Sequence, residues 1–373
     1  VISGTLYSVW ITGTILIIAS FKCTQSMSTF PSSVSSEVTV VGSTMMDLVT
    51  YTDSLPKTGE TVFGTSFATS FGGKGANQAV QCARLGIKSR MVGAVGKDSY
   101  GVQYLAQLAN ENVDTRGIKV SDKYSTGTAS IQVDKNGQNS IIIVQGANLD
   151  LLPECLESMD SMIAQSNVVI CQNEIPLVTT KRTLQLCQKY RSISILNPAP
   201  VSTEVTTDLL PLCDIICPNE LELAALTNLP ADTNEEIHYA AKSLLERSRS
   251  VGGCRIVIVT LGARGAYVIT RDGNMEGTFY QTNNVEAVDT VGAGDSFIGT
   301  FASNVARNVP LEDAIVRSLH CASISVTRPG AQVSYPRLSD LSDTKYHPPS
   351  LPVDEMGESL ILDKQLLRSS LGL

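Results

Sequence analysis

The segment Val288-Asp289-Thr290-Val291-Gly292-Ala293-Gly294-Asp295-Ser296-Phe297 sets two glycines, an alanine and a carboxylate at the head of an apolar-periodic stretch. That spacing predicts a helix opening near Gly294, with its first amides uncovered by side chains. Such amides, together with the helix dipole, make an anion site. A phosphoryl group in transfer spreads charge over its outer oxygens, and converging N–H groups can hold it. Asp295, at the same helix start, is placed to accept the proton of an attacking hydroxyl. Read alone, the segment is explained equally well as a glycine-rich turn capped by an acid.

Three further stretches have comparable chemistry. In Gly72-Gly73-Lys74-Gly75-Ala76-Asn77-Gln78-Ala79 the glycines let backbone approach a small polar ligand, while Lys74 and Asn77 offer donors to hydroxyls. The stretch lacks the spacing and the Lys-Ser/Thr ending of a Walker A loop, and the chain has no GxGxxG fingerprint. A strand-to-helix turn with a surface lysine accounts for it slightly better when it is taken in isolation. Cys217-Pro218-Asn219-Glu220-Leu221-Glu222 sets an amide and two carboxylates where hydrated Mg²⁺ could sit beside phosphates, although an N-capped helix start explains them at least as well. The loop Thr260-Leu261-Gly262-Ala263-Arg264-Gly265 could line a nucleotide or simply turn the chain.

These stretches must be held by elements that bring them together. Apolar runs predict strands at 38–42, 91–95, 168–172, 193–196, 214–217 and 256–260. Helical periodicity predicts helices at 76–85, 100–112, 177–190, 220–227, 234–247 and 295–308. Alternating strands and helices with near-continuous apolar strands predict an α/β fold, its sheet mostly parallel and covered on both faces. In such a sheet the polar ends of several strands converge on one crevice. Residues 48–71 alternate as surface strands and turns do, and 128–144 read as a hairpin around Asn136-Gly137.

Composition limits the function class. Hydrophobic residues make up 43% of the 373 and charged residues 17%, which suits a buried core and argues against a disordered chain. A net charge of −8 without a long basic block argues against partners such as nucleic acid or acidic membrane. The nine cysteines are odd in number and scattered, several in apolar runs, so buried free thiols in a reducing compartment are expected. Residues 1–36 hold one charge, Lys22, and the only tryptophan, Trp10. The run at 10–21 has no basic segment before it and is too short to span a bilayer. A start at Met27 is therefore expected, with 1–36 a leader outside the domain, 37–336 one domain and 337–373 a loosely attached tail. No other run reads as transmembrane, and a cytoplasmic protein, with the nucleus as a further compartment, is expected.

The motif from Asp289 to Asp295 and the run at 72–79, with Asn219-x-x-Glu222 and Asn197-Pro198-Ala199-Pro200, resemble the carbohydrate and nucleoside kinase family headed by ribokinase and bacterial phosphofructokinase 2. The likeness runs from about residue 38 to 336 with the motifs in order, and the run at 72–79 with Asn-Pro-Ala-Pro favours the ribokinase branch. The resemblance implies a three-layer α/β/α fold, with a small antiparallel β lid from about 50–70 and 128–144. It implies ATP-dependent phosphorylation of D-ribose at its 5-hydroxyl, with Asp295 as base and Gly292, Ala293, Gly294 and Asp295 as anion hole. Asp47, Gly73, Lys74, Asn77 and Glu174 match its sugar positions. Asn219, Thr260, Leu261, Gly262, Ala263, Arg264, Gly265, Gly294 and Leu319 match its ATP site, Leu319 at the adenine with His320 next to it. Glu222 would organise Mg²⁺, and Asp289, Val291, Ser325, Arg328, Gly330 and Ser334 match its K⁺ loop. A homodimer through the lid also follows. Kinases of other furanoses or nucleosides share this pattern, as would a sugar-binding regulator that had lost turnover.

Overall fold

The computed structural model describes residues 37–249, 252–271 and 275–342. The expectations for residues 1–36, and for the tail beyond 342, fall outside them. β1 (Glu37–Val41) runs through a short turn into β2 (Met45–Thr52), and β3 (Gly64–Gly72) returns antiparallel along β2. Next come α1 (Lys74–Arg84), β4 (Lys88–Gly96), α2 (Ser99–Asn110) and β5 (Asp114–Ser121). The hairpin of β6 (Gly127–Asp134) and β7 (Asn139–Val144) follows, turning at Asn136-Gly137 with Gly137 at φ 80°. The chain then alternates through α3 (Asp160–Gln165), β8 (Val168–Cys171), α4 (Leu177–Tyr190), β9 (Ile193–Leu196) and β10 (Ile215–Ile216). It continues through α5 (Glu220–Thr227), α6 (Asn234–Arg249), β11 (Ile256–Thr260), β12 (Ala266–Thr270) and β13 (Gly277–Tyr280). Three helices close it: α7 (Ala293–Ala306), α8 (Leu311–Val326) and α9 (Leu338–Ser342).

Nine strands form the large sheet in the order β13-β12-β11-β10-β9-β8-β1-β4-β5, parallel except at the edge pairs β11·β12 and β12·β13. Successive side chains of a strand point to opposite faces, and β1 shows the consequence. Val38 and Val40 pack with Ala76, Phe297 and Phe301 beneath α1 and α7, whereas Val41 packs with Leu184, Leu223 and Leu244 beneath α4, α5 and α6. Both faces are thus dry and helix-covered, which makes three layers. The parallel strands place their C-terminal ends, at Gly42, Gln172, Asn197, Cys217 and Thr260, along one rim.

The four-stranded lid sheet has the order β3-β2-β6-β7. Its two outer pairings are antiparallel and the central β2·β6 pairing is parallel. It starts at Met45, closer to the rim than the expected 50, because only Gly42, Ser43 and Thr44 separate β1 from β2. β5, β12, β13 and α8 were not legible as elements. The first residues of the expected tail are held: Arg337 reaches Glu111 at 3.0 Å, and Asp340 accepts from the Arg337 amide at 3.1 Å.

Eight cysteines lie among the described residues, all free and all but Cys155 buried. Burial pushes the Cys82 thiol up to about 12, leaving it inert.

Candidate active site

α7 begins one residue earlier than Gly294, at Ala293, with Gly292 as N-cap at φ 76°. A Cβ on Gly292 would sit 2.4 Å from the Tyr335 hydroxyl and 2.9 Å from Ala331 Cβ, so both its backbone angle and its packing demand glycine. The Ala293 amide is taken by the Thr290 carbonyl at 3.3 Å, and the Ser296 amide by the Gly292 carbonyl at 2.9 Å. The Gly294 and Asp295 amides between them have no hydrogen-bond partner among the described residues. Nothing approaches the Cβ position of Gly294 within 4 Å. Two free N–H groups at the positive end of a 14-residue helix, facing open space, form an anion-binding corner.

Asp295 sits beside those amides and is only 6% exposed. Its Oδ2 accepts from Asn77 Nδ2 at 3.0 Å and its Oδ1 from Gln78 Nε2 at 2.8 Å. Both donors come from α1, brought against α7 where Gly299 lets the Gln78 carbonyl pack closely. Asn77 is held from behind by Gln332 Nε2 at 3.1 Å, and Gln332 also donates to the Tyr104 hydroxyl at 3.3 Å.

On the lid side, Asp47 in β2 lies over Gly72. A Cβ on Gly72 would come 2.3 Å from the Asp47 carboxylate, so glycine makes room for the acid. Burial first, then the charges of Glu174 and Asp295, push the Asp47 carboxyl up to about 7. Glu174 accepts from Ser43 Oγ at 2.5 Å and from the Lys74 amide at 3.0 Å, which pins the start of α1. Burial works against the Lys74 charge, but the carboxylates of Asp295, Glu174 and Glu222 outweigh it and hold the ammonium above its ordinary range. Gly73 is the N-cap of α1, at φ 86°. Four acids and one lysine thus surround a polar space, the mixture of acceptors and donors that sugar hydroxyls require.

A cleft of about 110 Å³ opens from Asp295 along the rim, lined among others by Lys74, Asn197, Asn219, Glu222 and Thr260. Asn219 caps α5 in a full capping box: its side chain accepts from the Glu222 amide at 2.8 Å, and Glu222 accepts from the Asn219 amide at 2.9 Å. The N-cap expected of this motif is thus present, and Asn219 and Glu222 line the cleft as well. Burial raises the Glu222 carboxyl above its ordinary range, against the pull of the Asn219 amide and Lys74. After β11, Gly262, Ala263 and Arg264 make one 3₁₀ turn and Gly265 follows at φ 101°. Leu261 is buried, and Arg264 pairs with Glu220. The structure does not turn Leu319 towards this cleft: it is 6% exposed and packs in the core beneath α7. The neighbouring His320 is half-buried, with Nδ1 3.4 Å from Asn283 Nδ2, so helix phase gives His320 the outward position.

The loop positions at 289–291 and 325–334 come side by side. Asp289 accepts from the Val291 amide at 3.0 Å and from the Gly330 amide at 2.8 Å, bridging the two loops. Ser325 and Ser334 are buried with hydroxyls turned to the Ala322 and Ala331 carbonyls, and Arg328 faces Asp340 at 3.5 Å. Here the oxygens on offer are backbone carbonyls and one carboxylate, donor chemistry that a monovalent cation accepts. No group of three or more His, Cys, Asp or Glu suited to a metal occurs among the described residues. Besides Asp295, Glu222 is the carboxylate that lines the cleft, and Mg²⁺, which keeps most of its water, needs few protein ligands.

Sequence reasoning missed Ser43, Gln78, Gln172, Gln332 and Tyr335. Gln78 lay inside a motif already singled out, and its one signal was a polar residue on the buried face of an amphipathic helix. The others carried none.

A three-layer α/β sandwich with a lid, and an acid beside open helix-start amides in a rim cleft, define a small-molecule phosphotransferase. The pattern of the pfkB family of carbohydrate kinases matches residues 35–338. Mus musculus ribokinase is 42% identical over 306 residues, 82% of this chain and 93% of its own. Salmonella typhi deoxyribokinase is 36% identical over 307 residues, 82% of this chain and 98% of its own. The structure of Arabidopsis thaliana ribokinase complexed with ribose and ATP matches with a TM-score of 0.76 at 30% identity, covering 82% of this chain and 97% of that one. The chain belongs to the pfkB carbohydrate kinase family.

Proposed function

We propose that this chain is an ATP-dependent ribokinase, converting D-ribose to D-ribose 5-phosphate. One observation carries the reading: Asp295 stands between the free Gly294 and Asp295 amides and the polar space bounded by Asp47, Lys74 and Glu174. In this reading an acceptor hydroxyl in that space would lie next to the base, and the amides would hold the phosphoryl group that it attacks. In this scheme Asp47 accepts from two ribose hydroxyls, while Lys74 and the second N–H of Asn77 donate. Asp295 takes the proton from the 5-hydroxyl as it attacks the γ-phosphorus, and ADP leaves along the cleft past Asn219 and the 260–265 loop. Closing the lid over the sugar excludes water that would otherwise take the phosphoryl group.

Glu222 would organise Mg²⁺, and the carbonyls around Asp289, Val291, Ser325, Arg328, Gly330 and Ser334 would hold K⁺. These ions supply charge neutralisation at the phosphates and orientation of the helix-start amides. The lid is the proposed homodimer interface. Ile141, Ile142, Ile143 and Val144 of the edge strand β7 are each at least half exposed, and Phe67 of β3 is 62% exposed, an apolar surface that a second lid would cover. No helix among the described residues is long and apolar enough to cross a membrane, and the cytoplasm is the proposed compartment.

The mouse relative supports ribose; the Salmonella relative makes 2-deoxyribose the second reading. Side-by-side kcat/KM measurements on ribose, 2-deoxyribose, fructose and adenosine, with ATP, Mg²⁺ and K⁺, decide between them. Ribose should be preferred. A clear preference for any other acceptor removes the specificity claim.

A further inference from the structure

Gln78 is fully buried and every polar atom on it is committed inside the protein. Nε2 donates to Asp295 Oδ1 at 2.8 Å and lies 3.4 Å from Asn197 Oδ1, and Oε1 accepts from Gln172 Nε2 at 2.6 Å. Gln172 is equally buried. Its own Oε1 faces the Gly42 backbone and has no hydrogen-bond partner among the described residues. A buried, unpaired amide oxygen is costly, so a hydrophobic residue at 172 would suit the core better unless the nitrogen is needed.

We propose that Gln78, oriented by Gln172, is the positioning residue that aims the Asp295 carboxylate at the acceptor hydroxyl. This rests on the reading of Asp295 as the base.

The polarity of the chain follows from the acid at its end. An ionised carboxylate only accepts, so Gln78 must turn its nitrogen to Asp295 and its oxygen to Gln172, which must then present nitrogen. One acid therefore fixes the orientation of two amides. In return the amides fix the acid. The terminal torsion of an aspartate is broad and roughly two-fold, and one donor on each oxygen, Asn77 on Oδ2 and Gln78 on Oδ1, locks its plane. Each oxygen keeps a second acceptor site, so the base still has a free lone pair on either oxygen to offer a substrate. The two amides divide the work. Asn77 borders the polar space and has a second N–H to give, whereas Gln78 has none and cannot reach a ligand.

The test uses Gln78→Leu, Gln78→Glu and Gln172→Leu in the full-length protein, beside Asp295→Asn, with steady-state kinetics across pH and thermal melts. Gln78→Leu should lower kcat about tenfold or more, the loss of one hydrogen bond to a charged group, while the ribose KM moves less than about threefold. Gln172→Leu removes one unpaired buried oxygen but leaves Gln78 Oε1 without its donor, so Tm should change little while kcat falls by about threefold or more. It should add nothing on the Gln78→Leu background. Gln78→Glu puts a second carboxyl against Asp295, and the two must share a proton. Activity should therefore be confined to the pH range in which the pair holds one proton, with a new alkaline limb in kcat where that proton is lost. Lys74, Asp47, Glu222 and Tyr335, the other titrating groups that face Asp295, are unchanged in all three variants.

Folded Gln78→Leu with kcat within twofold of the parent overturns the proposal. So do additive losses in the double variant, or a parental pH profile for Gln78→Glu. If Gln78→Leu does not fold, Gln172→Leu and Gln78→Glu decide the matter. Full turnover in Asp295→Asn would instead reject the base itself, whereas an inactive Asp295→Asn beside a fully active Gln78→Leu rejects only the positioning role.

Discussion

Replacing Asp47 with asparagine should make the protein more stable and a poorer kinase at once. Burial, then the charges of Glu174 and Asp295, push its carboxyl up to about 7, against about 3.9 for an aspartate in an unfolded chain. Between those two pH values the folded state keeps a proton that the unfolded state has lost. Stability therefore falls as pH rises from about 4 to about 7 and stays low above. Three decades of proton affinity correspond to ~4 kcal/mol at most, and solvent reaching the half-buried group reduces this to about 1–3 kcal/mol. Asp47→Asn carries no charge and escapes that cost. Urea unfolding at pH 8 should show a gain of about 1–3 kcal/mol, shrinking to roughly a third of that at pH 5. The difference between the two proteins cancels every other titrating group that they share. At the same time kcat/KM for ribose should fall about tenfold or more, as hydrogen bonds to a charged acceptor are lost. An equal gain at both pH values, or a loss of stability at pH 8, would refute the electrostatic argument whatever happens to activity.

Other perturbations test other parts of the site. Asp295→Asn should lower kcat at least ~10²-fold while ribose binding stays measurable by calorimetry; unchanged turnover rejects its role as base. Gly292→Ala forces a side chain into a left-handed backbone and onto the Tyr335 hydroxyl, and should cost about 1–3 kcal/mol in thermal or urea unfolding together with most of the activity. A variant as stable as the parent would mean that the α7 cap is looser than its packing indicates. Replacing Na⁺ by K⁺ should raise kcat, and indifference to the cation counts against the Asp289 loop site. Ile142→Asp on the exposed edge strand should convert a dimer to a monomer in sedimentation; a parent protein that is monomeric at micromolar concentration removes the lid interface.

How legible each element was follows from its surroundings. The strands at 193–196 and 256–260 and the helices at 177–190 and 220–227 match the sequence reading to the residue, because the strands are short apolar runs, the first helix is amphipathic and the second is marked by its Asn219 and Glu222 capping box. β5 was illegible because an edge strand is covered on one side only, and Asp114–Ser121 mixes three charges among its apolar positions. β12 and β13 leave the parallel pattern and pair antiparallel at the other edge, where no crossover helix announces them. The parallel partner of β2 in the lid is β6, about eighty residues away, and no local alternation encodes that pairing.

The site divides in the same way. Glycines, lysines and carboxylates advertise chemistry by type, so Lys74, Asp295 and the glycine-rich start of α7 could be picked out from the residues, whereas Asp47 entered through the family resemblance and the cap at Gly292 emerged only in the fold. Carboxamides do not: Gln78 and Gln172 are neutral, common in helices and strand ends, and meaningful only through partners 217 and 94 residues away. Even Asn77 and Gln78 look redundant on paper, since neighbours on a helix point about 100° apart and only one should reach a given acid. Both reach Asp295 because α7 lies so close to α1 at Gly299, where a Cβ would come 2.7 Å from the Gln78 carbonyl. The carboxylate thus sits in the angle between the two side chains and takes one on each oxygen. A packing distance between two helices, set by a glycine remote from any ligand, is what turns two adjacent amides into a cradle for the base.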